Sequence, residues 1–230
     1  MLPADSSQAR APFIVIEGID GSGSTTQCRR LVEALVSGGQ AACHTFQPSQ
    51  GPIGSLIRSV IERRLLDPQS GLPRPFQWST LALLFAADRL DHVDNFIAPA
   101  LLQGQLVVCD RYDLSSLAYQ SLTAEGGADV VPWIRQLNCE ALRPDLTLVL
   151  DVPVALAEAR RRQRGGAEEL FESRSLQERL AAVYLQAERL VPGDRVRHVS
   201  GEGEPEAVTE RLLSAVMASF PGLSLATCLP

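Results

Sequence analysis

The chain has 230 residues, of which 45% are hydrophobic and 21% charged, with a formal net charge of −6. That length suits one well-cored domain, and the acidic balance argues against a protein whose main ligand is nucleic acid. No apolar run approaches the length of a membrane span, and the first twelve residues lack the apolar core of a secretory signal. The five cysteines form no CxxC pair, so neither a disulfide framework nor a zinc site is indicated. We therefore expect a cytoplasmic protein with no membrane or nucleic-acid partner.

Short apolar segments alternate with longer amphipathic ones, which is the pattern of parallel strands joined by crossover helices. Strands are predicted at 13–17, 41–46, 105–109, 146–150 and 195–199, and helices at 24–37, 52–66, 76–103, 114–122, 129–142, 153–164, 171–190 and 205–219. Glycines and prolines stand where these helices should end and begin. The sequence predicts a doubly wound α/β fold with a five-stranded parallel sheet flanked by helices. The domain is expected over 13–220, between a disordered tail at 1–12 and a second tail at 221–230.

The first predicted strand runs directly into the glycine-rich segment GIDGSGSTT. Backbone N–H groups can surround phosphate oxygens where glycines leave room, and the helix that follows adds the positive end of its dipole. Thr25 stands where such loops place a hydroxyl that binds Mg²⁺. The segment therefore predicts an ATP-binding loop made of Gly18, Ile19, Asp20, Gly21, Ser22, Gly23, Ser24, Thr25 and Thr26.

Ser24 stands where such a loop normally carries lysine, and all 21 basic residues of the chain are arginines. Without the ammonium group, stabilisation of the transferred phosphoryl group must fall or come from another cation. The segment RRRQR at 160–164 offers candidates, because Arg160 and Arg164 share a helical face. A solvated basic face is the alternative interpretation of the same run.

Two further pairs of residues are candidates for ligand contacts. Asp110 ends an apolar strand, where its carboxylate would face the phosphate loop and could hold Mg²⁺, and Arg111 beside it could bind a phosphate. A salt bridge at the strand end is the alternative for this pair. Phe85 and Arg89 are four residues apart on a predicted helix, so an aromatic plane and a guanidinium share one face. Taken alone, Phe85 would be a core residue and Arg89 a partner for a neighbouring aspartate.

Four segments resemble the thymidylate kinase family in order and spacing, from about residue 13 to about residue 190: FIVIEGIDGSGSTTQ, LLFAADRLDHV, LVVCDRYDLSSLAYQS and DLTLVLDVP. The resemblance implies the architecture of P-loop nucleoside monophosphate kinases. It also implies transfer of the γ-phosphoryl group of ATP to dTMP, giving dTDP for dTTP biosynthesis. Mg²⁺ as cofactor and a homodimer are further expectations from the same likeness.

The resemblance also implies roles for individual residues. Phe85 and Arg89 would bind thymine, with Ser116 and Gln120 near the base and Tyr119 against the deoxyribose. Arg111 would contact the phosphates, and Thr25 and Asp110 the metal. Asp20, Arg111, Arg160 and Arg164 would form the catalytic set, with a mobile lid near 160–172 that is hinged at Gly165 and Gly166.

Three departures from the family pattern surround the expected phosphates. Ser24 replaces the loop lysine, Phe46 and Gln47 stand in place of an Arg-Glu pair, and Leu170 stands where the lid commonly has arginine, although Glu172 is kept. Arg58 or Arg74 are the candidates to replace the lost acceptor contact. These departures leave two alternatives open: a catalytically weak or inactive nucleotide-binding paralogue, and a related kinase with a different nucleoside or nucleotide acceptor.

Overall fold

The structure is a computed structural model that describes residues 10–124, 129–165, 171 and 173–223, without the side chain of Arg164. Five strands, β1 (Phe13–Gly18), β2 (Ala42–Phe46), β3 (Leu106–Asp110), β4 (Leu146–Asp151) and β5 (Val196–Ser200), pair in the order β2-β3-β1-β4-β5. All four pairings are parallel. The predicted doubly wound α/β fold is confirmed, and every strand boundary lies within one residue of its predicted position.

The central strands are continuous apolar runs because helices cover both faces of the sheet. β1 and β3 are buried at every position, and β4 is buried at all but its last residue. The chain continues from β1 to one side and from β3 to the other, so the carboxyl ends of β1, β3 and β4 meet at the point where the strand order reverses. Ligands bind at such a point in open α/β sheets, because the loops on either side diverge there.

The helices of the described residues are α1 (Ser24–Ser37), α2 (Pro52–Ile61), α3 (Trp78–His92), α4 (Ala98–Leu102), α5 (Asp113–Thr123), α6 (Val131–Leu137), α7 (Val154–Arg164), α8 (Arg174–Tyr184), α9 (Ala187–Leu190) and α10 (Pro205–Ser219). A π-helical turn over Val93–Ile97 joins α3 to α4. Within the described ranges, no helix is both long enough and apolar enough to cross a membrane.

Several predicted helices were too long. The helix predicted at 76–103 is interrupted by the π-helical turn, which lies just before Pro99, a residue with no N–H to donate to the carbonyl four residues back. The helix at 52–66 ends at Ile61, and Arg63 then adopts a left-handed backbone with a φ of 56°. The helix at 129–142 is limited to 131–137, and the segment at 171–190 contains two separate helices. Apolar periodicity continued through these breaks, which is why the pattern did not reveal them.

Candidate active site

The glycine-rich loop closes tightly between β1 and α1. Gly21 and Gly23 have φ angles of 87° and 93°, in the left-handed region that favours glycine. A Cβ at Gly21 would lie 2.3 Å from the backbone oxygen of Ala157, so helix α7 packs directly on the loop. The predicted loop residues therefore form a compact turn whose backbone shape depends on these glycines.

Two arginines of α7 bind the carbonyl side of this loop. Arg160 donates from Nη1 to the oxygen of Ser22 at 3.1 Å and from Nη2 to the oxygen of Gly201 at 3.0 Å. Arg161 donates to the backbone oxygen of Asp20. The sequence pattern did not single out Arg161 within the basic run, because its helical face differs from that of Arg160. Both side chains nevertheless reach the loop, Arg160 at Ser22 and Arg161 at Asp20.

Ser24 begins α1 and is only 5% exposed. It lines a cleft, here called the loop cleft, that extends along residues 20–27 and is also lined by Arg111, Arg160 and Arg161. Nη1 of Arg160 lies 3.8 Å from the position that a Cβ would take at Gly23. The guanidinium group of Arg160 therefore lies against the loop at Ser22 and Gly23, in the same cleft as Ser24. Gly18 and Ile19 lie beneath the loop, and Ile19 packs into the core.

Thr25 and Asp110 meet beside the loop, as predicted from the strand end. The Thr25 hydroxyl donates to Oδ2 of Asp110 at 2.5 Å, whereas Oδ1 of Asp110 is buried and has no hydrogen-bond partner. A buried carboxylate oxygen next to a hydroxyl is the type of donor that Mg²⁺ prefers. The described residues contain no cluster of three or more His, Cys, Asp or Glu side chains that could hold a metal ion. This pair therefore fits a cation that takes its other ligands from phosphates and water.

Asp20 and Arg111 form a salt bridge at the junction of the two strand ends. Nη2 of Arg111 lies 2.7 Å from Oδ1 of Asp20, and Nη1 contacts the hydroxyls of Tyr119 at 3.1 Å and Ser115 at 3.3 Å. Arg111 has a φ of 67°, a strained conformation for a side chain of its size. Functional sites frequently retain such strain.

Gln177 of α8 holds the other side of Asp20. Its Nε2 donates to Oδ2 of Asp20 at 2.6 Å, and its Oε1 accepts from the Asp20 N–H at 3.0 Å. Gln177 is completely buried. Sequence reasoning missed this residue, because a single glutamine in an amphipathic helix more than 150 positions away carries no local signal.

A second cleft, here called the Arg89 cleft, lies between α3 and α5 and has an empty volume of about 650 Å³, its open mouth included. All of the residues predicted to bind the acceptor nucleotide line it: Phe85, Arg89, Arg111, Ser116, Tyr119 and Gln120. Oε1 of Gln120 is buried there without a hydrogen-bond partner. Burial raises the pKa of Tyr119, so its hydroxyl stays protonated.

Arg89 is 1% exposed and is held from several sides. Its Nε donates to Gln47 at 3.0 Å, its Nη2 donates to the Tyr112 carbonyl and the Ser116 hydroxyl, each at 3.0 Å, and its Nη1 donates to Asn138. The described partners of Arg89 include no neighbouring aspartate: Asp88 binds the backbone and hydroxyl of Ser49, and Asp91 accepts from Asn95. A guanidinium group fixed so completely presents its plane in one orientation.

Glu17, near the end of β1, is not among the residues that line either cleft. Its carboxylate is fully buried and accepts hydrogen bonds from the N–H of Tyr112, from the N–H and hydroxyl of Ser115, and from the hydroxyl of Tyr184. Burial raises the pKa of Glu17, and these hydrogen bonds and Arg111 oppose that shift. Glu17 thereby anchors the start of α5, which carries the residues of the Arg89 cleft.

The described residues that line the Arg89 cleft include neither Arg58 nor Arg74, the two candidates for the lost acceptor contact. Arg58 donates to the carbonyls of Pro48 and Ser49 and lies 6.0 Å from the ring centre of Phe46. Arg74 is exposed and lies over Phe76. Helix α7 ends at Arg164, whose side chain, together with Gly166, Leu170 and Glu172 of the expected lid, lies outside the described residues.

The two clefts share a wall. Asp20 and Arg111 line both of them. A group bound on the phosphate loop and a second group bound beside Phe85 and Arg89 would therefore meet at the same carboxylate and guanidinium. This arrangement is suited to transfer between two ligands rather than to binding of one.

Comparison with known proteins agrees with this geometry. Residues 16–211 match the profile of the family described as thymidylate kinase. The chain is 40% identical over 188 residues to a probable thymidylate kinase of Pyrococcus horikoshii, covering 81% of this chain and 87% of that protein. It is 39% identical over 212 residues to a thymidylate kinase of Pelobacter propionicus, covering 89% and 93%, and 41% identical over 215 residues to one of a Synechococcus species, covering 91% and 96%. The chain belongs to the thymidylate kinase family.

Proposed function

We propose that this protein transfers the γ-phosphoryl group of ATP to dTMP, giving dTDP and ADP in the synthesis of dTTP. The observation that carries the proposal is the shared wall of the two clefts, where Asp20 and Arg111 face both. ATP binds with its phosphates along the loop from Gly18 to Thr26, and dTMP binds in the Arg89 cleft. Family membership over most of the chain supports both assignments.

Thymine is bound by a ring and by fixed polar groups. Phe85 offers a half-buried aromatic face, and one helical turn later Arg89 offers a guanidinium that Gln47, Ser116 and the Tyr112 carbonyl hold in place. Offset stacking of aromatic rings and a rigid donor favour a flat heterocycle with a carbonyl oxygen. Gln120, whose amide oxygen has no partner within the described chain, is placed to meet the N–H edge of the base.

Arginine side chains compensate the negative charge of the transferred phosphoryl group. Arg111 lies between the clefts and is oriented by Asp20, so it can contact phosphates on both ligands. Arg160 lies against the loop at Ser22 and Gly23, and we assign to it the task that an ammonium group performs elsewhere. Arg164 completes the proposed catalytic set with Asp20, Arg111 and Arg160. Tyr119 shields the sugar side of the cleft, where Arg111 and Phe171 pack against its ring.

Mg²⁺ is the divalent ion that we assign to Thr25 and Asp110. The unpartnered carboxylate oxygen of Asp110 and the neighbouring hydroxyl support the assignment. When bound, the ion neutralises charge on the β and γ phosphates. On the protein side, a hydrogen bond holds the Thr25 hydroxyl and the Asp110 carboxylate together.

We further infer a cytoplasmic homodimer. Leu83 of α3 is 51% exposed and Phe96 of the π-helical turn is 42% exposed. These exposed apolar side chains support a subunit interface. The four described cysteines are free thiols, as suits a reducing compartment. Light scattering of the purified protein measures the mass, and a monomer at micromolar concentration would contradict the dimer.

The proposed reaction is tested with purified protein, ATP, Mg²⁺ and dTMP, by chromatographic detection of dTDP. Turnover is expected for dTMP and is expected to fall sharply in Asp110→Asn. Asp129→Asn, a change at an exposed residue outside both clefts, serves as the matched control. Binding of both nucleotides without dTDP formation would indicate a non-catalytic paralogue. Faster turnover of another nucleoside or nucleotide in an acceptor panel would indicate a related kinase.

A further inference from the structure

A second set of polar contacts reaches Arg89 from the side of β2, through Gln47, which also lines the Arg89 cleft. His92, the last residue of α3, is 5% exposed. Its Nε2 lies 2.7 Å from the hydroxyl of Thr45 and its Nδ1 lies 3.4 Å from Nε2 of Gln47. Because Gln47 in turn accepts a hydrogen bond from Nε of Arg89, a continuous chain of contacts runs from edge strand β2 to the guanidinium.

The chemistry of these groups determines which atom donates the hydrogen in each contact between Arg89, Gln47 and His92. A guanidinium only donates, so the Gln47 oxygen must face Arg89 and the Gln47 amide nitrogen must face His92. That nitrogen also only donates, so Nδ1 of His92 must be an acceptor. The ring hydrogen must then be on Nε2, where the Thr45 hydroxyl accepts it. The arrangement requires a neutral His92 in one tautomer.

The surroundings of His92 maintain that neutral state. Burial lowers the pKa of His92 to about 4, with Asp88 and Asp91 acting to raise it and Arg89 acting to lower it. From the β2 side the facing groups are Thr45, Gln47 and His44, and His44 lines the same small cavity next to His92. Burial also lowers the pKa of His44, so no cation is expected from that side near neutral pH.

Gln47 is one of the positions at which this chain departs from the family pattern, since a glutamate commonly stands there. A glutamate at position 47 would place a carboxylate oxygen next to Nδ1 of His92. Because both atoms are acceptors, a hydrogen on Nδ1 would be needed for them to form a hydrogen bond. That side chain would therefore draw a proton onto His92. In this chain the amide at position 47 and the neutral imidazole at position 92 therefore suit each other.

We propose that His92 is a positioning residue for the base-binding Arg89, that it acts through Gln47 as the neutral Nε2–H tautomer, and that this matched pair sets how tightly dTMP is held. The proposal rests on the assignment of dTMP to the Arg89 cleft. A purely structural role, in which His92 only ties β2 to α3, predicts no selective effect on the acceptor nucleotide. In α3, Arg89 lies between Asp88 and His92. Asp88 binds Ser49 and His92 contacts Thr45, so the segment from Thr45 to Ser49 is bound to α3 on both sides of Arg89.

Two isosteric variants separate these roles. His92→Asn places an amide oxygen where Nδ1 stands, so Gln47 keeps its acceptor while Thr45 loses its donor. His92→Gln places an amide nitrogen where Nε2 stands, so Thr45 keeps its donor while Gln47 loses its acceptor. Both variants remove the ring and each keeps one of its two contacts, so comparing each with the wild type separates the contact to Gln47 from the contact to Thr45.

We expect His92→Gln to raise KM for dTMP about tenfold, the scale of one hydrogen bond in a buried charged network. Its kcat and its KM for ATP should stay within about twofold, and His92→Asn should stay close to the wild type in all three. Equal behaviour of the two variants, or an equal loss in KM for ATP, would overturn the proposal. Calorimetric titration with dTMP alone gives the same comparison without turnover.

A nuclear magnetic resonance measurement tests the pair without relying on either variant or on activity. The chain has three histidines, so ring nitrogen signals can be assigned by single substitutions at His44 and His198. Wild-type His92 should show the Nε2–H tautomer at pH 7, and Gln47→Glu should raise its pKa by about 1 unit or more. A charged or Nδ1–H ring in the wild type, or an unchanged pKa in Gln47→Glu, would contradict the proposal. Absence of dTDP formation by the wild type would instead contradict the proposed function and leave these ring signals readable.

Discussion

Replacement of Arg160 by alanine is the perturbation that tests most directly how this loop works without lysine. Arg160 donates to the carbonyls of Ser22 and Gly201, at 3.1 and 3.0 Å, and these carbonyls flank the loop cleft. A guanidinium about 4 Å from a phosphate charge interacts with about 4 kcal/mol at an effective dielectric constant of about 20. Loss of one such group from a preorganised site typically costs about 3 kcal/mol, which is about a hundredfold in kcat.

The assay is steady-state formation of ADP that depends on dTMP, with saturating Mg²⁺. Arg162→Ala is the matched control, because Arg162 is on the same helix, its side chain is 77% exposed and its described ion pair is with Glu158. We expect kcat to fall about a hundredfold in Arg160→Ala and to change less than twofold in Arg162→Ala.

Ser24→Lys extends the experiment to a double-mutant cycle. Alone, the new ammonium group would stand near Arg160 and compete with it for the same phosphates, so a gain in kcat is not expected. In the Arg160→Ala background the lysine should restore most of the lost rate, and the two changes should therefore be strongly non-additive. A kcat of Arg160→Ala within about threefold of the wild type, or additive effects in the double variant, would refute the assignment of Arg160 to the phosphates.

Three further predictions concern the loop, the α5 anchor and acid stability. Gly21→Ala should destabilise the fold by about 2 kcal/mol or more and weaken ATP binding, because the φ of Gly21 is 87° and a Cβ there would lie 2.3 Å from the backbone oxygen of Ala157. Gly71→Ala is the control, because Gly71 has a φ of 68° with open space around it. In urea denaturation this control should show only the cost of the backbone strain. Glu17→Gln should cost about 2 kcal/mol in the same measurement, since the side chain loses its charge beside Arg111 and its amide nitrogen would force the Ser115 and Tyr184 hydroxyls to accept instead of donate; an unchanged midpoint would contradict the anchoring role. His92 binds its proton less readily in the folded state, so the free energy of unfolding should fall by up to about 3 kcal/mol as the pH drops from about 6.5 to about 4. His92→Asn should remove that part of the pH dependence. Equal slopes of unfolding free energy against pH in the two proteins would refute this prediction.

Local patterns in the sequence were sufficient for the fold and for the loop. Five apolar runs bounded by turn residues predict the strands to within one residue, because both faces of each central strand are covered and every position must be apolar. The spacing of glycines between Phe13 and Thr25 predicts the phosphate loop, because only glycine permits its backbone. The proposed base-binding role of Phe85 and Arg89 required the family resemblance, since an aromatic residue and an arginine one turn apart are equally compatible with a core position and a salt bridge.

Only the tertiary structure decided which distant side chains complete the site. Gln177 reaches Asp20 from α8, Gln47 and Asn138 reach Arg89 from two separate loops, and Arg161 reaches the loop from a helical face that the sequence did not favour. Local periodicity records which face of an element is buried, but it does not record what that face meets. A hydrogen bond between residues more than a hundred positions apart is set by packing of the whole domain, and the sequence contains no local trace of it.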